Sequence, residues 1–247
     1  MHEPFKRIIP GAENAVLFVH GIVSTPRFFD DYAAVLPPDW SVHSLLLPGH
    51  GGSVKEFGRH SAKEWAAHVH AAVEELRQTH RQIYIMAHSL GTLLAIHETV
   101  QDDRNITGML LLCVPLRIWA KPSALLHNAL KGVGLVENTA LLHAYYGVEQ
   151  DWRVWRYIRW IPRYLELFAW SKAARREVVW LNVPTAVYMA RKDELVSLRG
   201  VKDMQGNAAL SMRYLPDSGH HAFPPAGKAT IRAALLRMCG IAEQEAP

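Results

Sequence analysis

Ser89 lies at the centre of Ala87-His88-Ser89-Leu90-Gly91, between the apolar run Ile83 to Met86 and a second apolar run that begins at Leu93-Leu94. Strand-like residues enter and helix-like residues leave, so the chain must turn sharply at the serine. So tight a turn strains the serine backbone and leaves little room for side chains two positions away. Ala87 and Gly91 meet that demand. The turn also lifts the hydroxyl clear of the strand end and leaves the Leu90 N–H unpaired at a helix N-terminus, where negative charge is stabilised. The chemistry open to such a residue is nucleophilic attack by a hydroxyl, with an oxyanion forming beside it.

A hydroxyl nucleophile needs a base, an acid to orient the base, and a second oxyanion donor. The base is sought in Asp217-Ser218-Gly219-His220-His221, after the last strand-like run, where the residues alone leave His220 and His221 both open. The acid is Asp193, just past the run Thr185 to Met189, on the same sheet edge as the serine. Glu194 beside it must diverge, and Asp203 and Asp217 are weaker rivals. Arg191-Lys192-Asp193-Glu194 also reads as an ordinary solvated charged loop. The second donor comes from the loop Val19-His20-Gly21-Ile22, where Gly21 permits close approach and Ile22 offers its N–H. His20 reads as a brace of that loop. His88 points away from the nucleophile, and His68 and His70, two apart on a helix, diverge too far to share a metal. No cofactor or metal is expected.

These residues need a scaffold. Ala15 to Val19, Val42 to Leu47, Ile83 to Met86, Met109 to Val114, Thr185 to Met189 and Leu210 to Tyr214 read as strands, continuous in apolar character and hence buried on both faces. A helix from about Ser61 carries the stripe Trp65, Val69, Ala72 and Leu76, with His70, Glu74 and Arg77 on its other side. A last helix spans about 226 to 238. This alternation predicts an α/β fold: a mostly parallel central sheet with helices on both faces.

Residues 115–181 break the rhythm. No strand is evident there, and Pro115, Pro122, Gly132, Gly134, Gly147 and Pro162 cut the segment into short helical pieces. It reads as a helical cap inserted in a core made of 1–114 and 182–247. It holds six of the eight Trp, and ten Lys and Arg against five Asp and Glu. Asp151 reads as the N-cap of a helix that puts Trp152, Trp155 and Arg159 on one face. Trp119, Trp152 and Trp155 are expected to meet an apolar acyl chain, although large rings serve equally well as packing for a small helical subdomain. The basic excess suits weak contact with an anionic membrane surface or an acidic substrate, and equally well simple solvation.

The 247 residues can bury one sizeable core, and no apolar run reaches the ~20 residues that span a bilayer. No secretory leader is read at the N-terminus. The two cysteines, Cys113 and Cys239, lack metal spacing and read as reduced core thiols, so a cytoplasmic location is expected. A net charge of +4 without a Lys/Arg run excludes a nucleic-acid partner.

Five stretches in order carry a resemblance: His20-Gly21, Leu47-Pro48-Gly49-His50-Gly51, Ala87-His88-Ser89-Leu90-Gly91, Ala190 to Val196 and Ser218-Gly219-His220. The chain resembles α/β-hydrolase-fold serine esterases, and among them the small bacterial carboxylesterase and monoacylglycerol-lipase group. It departs in Ala87, where Gly is usual, in the His220-His221 doublet and in the cap. The resemblance implies a triad of Ser89, Asp193 and His220, oxyanion donors Ile22 and Leu90, and His220 as base because it directly follows Gly219. It implies hydrolysis of monoacylglycerols or medium-chain esters without a cofactor. Thioester hydrolysis, acyl transfer and carbon–carbon bond cleavage run on the same parts. Dehalogenase and epoxide-hydrolase chemistry would need a carboxylate at position 89. A small-molecule receptor on the same fold and a metallohydrolase are the readings from other classes.

Overall fold

The computed structural model describes residues 2–119, 147–149 and 151–242. Seven strands form one sheet in the order β1-β3-β2-β4-β5-β6-β7. They are β1 (Phe5–Arg7), β2 (Asn14–Val19), β3 (Ser41–Ser44), β4 (Gln82–His88), β5 (Ile106–Leu112), β6 (Thr185–Ala190) and β7 (Leu210–Leu215). All neighbours pair in parallel except β1, which runs antiparallel to β3. The six strands read from sequence are present. β1 is the addition: three largely exposed residues at the sheet edge offer too short a pattern to read.

The central strands β2, β4 and β5 are buried on both faces, as their unbroken apolar runs require. β7 departs from that expectation. It is the far edge strand, and Ser211, Arg213 and Tyr214 face outward. β3 stops at Ser44, short of the expected Leu47. β5 starts earlier than expected and ends before Cys113, whose φ of 54° breaks the strand.

Among the helices are two single turns, α1 (Asp30–Ala33) and α2 (Val54–Phe57). The longer ones are α3 (Ala62–Arg77), α4 (Leu90–Gln101), α5 (Ile161–Glu177) and α6 (Pro225–Met238). α3 starts where Ser61 and Glu64 form a reciprocal capping box, an arrangement that contributes about 1 kcal/mol. Its stripe Trp65, Val69, Ala72 and Leu76 is buried against the sheet. Arg77, expected on the solvent side, is instead nearly buried as a side chain, because Glu74, Glu98 and Asp102 surround its guanidinium.

In the 115–181 region, residues 120–146 and 150 lie outside the described residues. What is described differs from a string of short pieces. Pro162 does not cut a helix but occupies the first turn of α5, which runs for 17 residues. Asp151 is not an N-cap: its carboxylate accepts from the Arg153 N–H and pairs with Arg153 and Arg156, while a 3₁₀ turn follows over Val154–Trp160. The inner face of α5, with Leu167, Ala174 and the following Val178 and Leu181, joins the same apolar cluster as the sheet. Glu166 accepts from the Ala62 N–H at the start of α3, and His97 on α4 contacts Glu177 at 2.8 Å. α5 is thus anchored to α3, α4 and the sheet.

Candidate active site

β4 delivers Ser89 at the C-terminal edge of the sheet, and α4 begins at the next residue. Ser89 has φ 51° and ψ −124°, a conformation that costs a non-glycine residue on the order of 1–3 kcal/mol. Packing enforces it. A Cβ at Gly91 would lie 2.2 Å from the Val19 carbonyl oxygen, and one at Gly21 would lie 2.9 Å from the Ser89 Cβ. Ala87 is fully buried, so the extra methyl is accommodated.

The Ser89 Oγ is 2.9 Å from His220 Nε2, and His220 Nδ1 is 2.8 Å from Asp193 Oδ2. The three come from the ends of β4, β6 and β7, and all are buried. Asp193 Oδ1 accepts from the Leu195 and Val196 N–H groups at 2.8 Å each. Burial pushes its pKa upward, but His220 and these amides outweigh burial, and the net shift is downward. A carboxylate anion facing Nδ1 makes that nitrogen the donor, which leaves Nε2 free to accept from the serine.

The rival groups lie elsewhere. Glu194 Oε2 accepts from the His220 backbone N–H at 3.2 Å. Asp203 is held by Arg117, and exposed Asp217 pairs with Lys192. His221 makes no contact of that kind with Ser89 or Asp193, and its Nδ1 has no partner. Leu90 and Gly91 are the first residues of α4, where N–H groups have no intrahelical acceptor, and the Ile22 N–H bonds to none of the described residues. Two backbone donors thus flank the serine edge.

His20 braces the Ile22 loop as expected: its Nδ1–H donates to the Gly21 carbonyl and its Nε2 accepts from the Leu47 N–H. His50 does the same one turn on, accepting from the Val23 N–H and donating to the Leu47 carbonyl. His88 was the residue whose part was missed. It points away from the serine, but its Nε2–H donates to the His220 carbonyl at 2.8 Å across 132 positions of chain, and its ring stacks on Phe28. A histidine preceding a turn carries no local signal of so distant a partner.

Among the described residues, two clusters have ligand atoms close enough to hold a metal: His88, Cys113 and His220, and His70, Glu74 and Glu98. In the first, His220 is committed to Ser89 and Asp193, and burial pushes the Cys113 thiol pKa well up, with Asp193 adding to the effect. In the second, the Arg77 guanidinium already supplies the cation. Trp119, Trp152 and Trp155 are exposed, and Trp152 packs edge-on against Trp155 at 5.8 Å. Among the described residues no helix is long and apolar enough to cross a membrane.

A family model described as "Alpha/beta hydrolase family" matches residues 16–233. The chain belongs to the alpha/beta hydrolase family. Among solved structures it is similar to one reported with LipS and LipT, two metagenome-derived lipolytic enzymes, at TM-score 0.72 and 17% identity over 97% of this chain and 98% of that one. A monoacylglycerol lipase of Paleococcus ferrophilus follows at TM-score 0.67 and 18% identity, covering 96% and 98%. The thioesterase domain from the curacin biosynthetic pathway reaches 0.62 and 16%, covering 93% of each. At these identities the likeness is one of fold. No curated protein sequence matches the chain.

Proposed function

We propose that this hydrolase cleaves carboxylic esters through an acyl-enzyme on Ser89. The observation that carries the reading is the continuous relay from Ser89 Oγ through His220 to Asp193, at 2.9 and 2.8 Å, beside two backbone donors. His220 Nε2 takes the serine proton as Oγ attacks the ester carbonyl, and the Ile22 and Leu90 N–H groups hold the oxyanion. His220 then gives that proton to the leaving alkoxide, and the alcohol departs. Water, deprotonated by His220, attacks the acyl-enzyme; the acid leaves and Ser89 regains its proton. Asp193 stays ionised and balances the imidazolium.

We assign residues 115–181 as the cap over this edge, with Trp119, Trp152 and Trp155 meeting the acyl chain of a monoacylglycerol or medium-chain ester. The exposed row Trp152, Trp155, Ile158, Ile161, Leu165 and Phe168, interspersed with Arg153, Arg156 and Arg159, supports weak contact of this cap with a lipid surface. Free, buried Cys113 and Cys239 fit a reducing, cytoplasmic setting.

A fluorophosphonate should label Ser89, found by mass spectrometry of the peptide. The labelled protein should lose hydrolysis of p-nitrophenyl esters. A panel graded from acetate to decanoate should show kcat/KM rising by about fourfold per buried methylene before it falls. Label elsewhere refutes the nucleophile. Faster turnover of acyl-CoA than of any ester would move the function to thioester hydrolysis.

A further inference from the structure

Residues 147–149 run between two loops of the reacting edge. Gly147 donates its N–H to the Val23 carbonyl at 2.9 Å, and its own carbonyl accepts from the Gly51 N–H at 2.5 Å. The Glu149 N–H donates to the Gly52 carbonyl at 2.9 Å, and Glu149 forms a parallel bridge with Ser53. Val148, between them, is buried in the same apolar cluster as the sheet. A Cβ at Gly147 would lie 1.8 Å from the Ser24 carbonyl oxygen and 2.5 Å from its carbon. Those are backbone atoms, which cannot step aside as the tip of a side chain can. The φ of Gly147 is not in the left-handed region, so close approach alone demands a glycine here. Gly147 reads from sequence as a break between helical pieces; the contact with Ser24 gives it a different role.

What Gly147 holds is the turn that carries Ile22. The Ser24 N–H donates to the Gly21 carbonyl at 3.2 Å, which closes Gly21-Ile22-Val23-Ser24 with Val23 in the third place at φ 55°. A positive φ at that place favours glycine or asparagine, and a β-branched residue leaves it unless restrained. The restraint is two-sided. His50 Nε2 accepts the Val23 N–H at 3.0 Å, and Gly147 supplies the donor to the Val23 carbonyl. At the other end of the turn, Gly21 packs closely against Ser89. We propose that Gly147 is a positioning residue for ester cleavage: its N–H, by holding the Val23 carbonyl, keeps the Ile22 N–H aimed at the oxyanion. This role rests on the proposed acyl-enzyme reaction, whereas the contact itself does not. The oxyanion forms only as Ser89 or water attacks, so a misaimed donor lowers kcat and kcat/KM alike.

The test compares three changes by turnover of p-nitrophenyl butyrate per fluorophosphonate-titrated site, so that unfolded protein is not counted. Gly147→Ala should push the segment off Ser24 and lower kcat and kcat/KM by about 10- to 100-fold, less than the loss of about 10²–10³ for an outright deleted donor. Glycolic acid in place of Gly147, an amide-to-ester change, deletes only the N–H. It should lower kcat by about tenfold with KM within about twofold, and it decides the matter alone if Gly147→Ala does not fold. Val148→Ala removes apolar packing from the same segment and keeps its backbone bonds. It should lower the melting temperature yet hold kcat per site within about twofold. Wild-type kcat per site after either change at position 147 overturns the proposal, and so does a Val148→Ala loss as large as theirs, which would make the segment merely structural. Either result, with Ser89→Ala inactive, leaves the acyl-enzyme reading intact. A Ser89→Ala protein with wild-type turnover removes that reading, and this role with it.

Discussion

Asp193→Asn should inactivate the protein through the wrong imidazole tautomer, and the hydrogen bonds around the carboxylate say why. Oδ1 accepts two backbone N–H groups, from Leu195 and Val196, while Oδ2 faces His220 Nδ1. An asparagine has one oxygen for these two places. If the oxygen keeps the two amides, its NH₂ group faces Nδ1 and forces that nitrogen to accept. The proton then sits on Nε2, which can no longer take one from Ser89. The opposite orientation aims NH₂ at two buried donors and leaves both unsatisfied, at about 1–3 kcal/mol each. The active orientation is therefore disfavoured by about 2–6 kcal/mol, or roughly 30-fold to 10⁴-fold, before the lost charge is counted. With the imidazolium no longer balanced, kcat on a p-nitrophenyl ester should fall by about 10³–10⁴. Glu194→Gln should cost less than about tenfold, because its oxygen still accepts from the His220 N–H. Thermal melts should show both variants folded. An Asp193→Asn protein that keeps more than about a tenth of wild-type turnover refutes the tautomer argument.

Three further outcomes follow. His220→Ala should lower turnover about as much as Ser89→Ala, by about 10⁴ or more, whereas His221→Ala should cost about tenfold; stopped-flow ester assays would rank them, and the reverse order would move the base. Gly91→Ala should destabilise by about 3 kcal/mol in urea titrations, because the 2.2 Å approach to the Val19 oxygen outweighs the ~1 kcal/mol that alanine contributes to a helix; an unchanged midpoint would contradict the packing described. Burial lowers the pKa of His20 to about 4 and those of His50 and His88 well below 6.5, so the native state keeps them neutral while the unfolded chain takes up protons as pH falls through about 6.5. Stability should therefore decline from about pH 6.5 towards 4, by about 4 kcal/mol per pH unit for the three together, and a urea midpoint flat from pH 7 to 5 would disprove it.

The sheet was legible because its central strands are unbroken apolar runs, and the clustering of Ser89, Asp193 and His220 because each of the three follows such a run. The three-residue β1 was not legible, since its partner Ser41–Ser44 lies some 35 residues on and its own residues are exposed. Leu210 to Tyr214 looked doubly buried because edge position is a property of the sheet, not of the strand. Arg77 looked solvated because two of its partners, Glu98 and Asp102, arrive from α4 and its C-terminal end. The choice of His220 over His221 came from the Gly-His pairing in related proteins. The geometry separates them by the direction of two rings, which adjacent letters do not encode. The described residues 151–181 were the least legible part, because the anchoring of α5 depends on distant contacts, Glu166 to Ala62 and Ser171 to Leu116.

Those long-range contacts share a logic with the histidines. Four described non-glycine residues have positive φ, and three of them, Val23, Ser89 and Cys113, border the reacting edge. Strain of this kind persists only where the surroundings over-determine it. At Val23, whose β-branched side chain makes φ 55° especially unfavourable, the His50 imidazole accepts the backbone N–H and thereby fixes the turn that exposes Ile22. At Ser89, His20 and Gly21 hold the facing loop, and His88 ties the strand to the His220 carbonyl. Each of these bonds uses a definite imidazole nitrogen. Those of His20 and His50 need an unprotonated acceptor, so protonation would turn an acceptor into a second donor opposite an N–H. The histidines outside the Ser89–His220–Asp193 chain of contacts thus keep the Ile22 loop and Ser89 in register. The acid sensitivity of the fold and the geometry of its reacting edge have one physical origin.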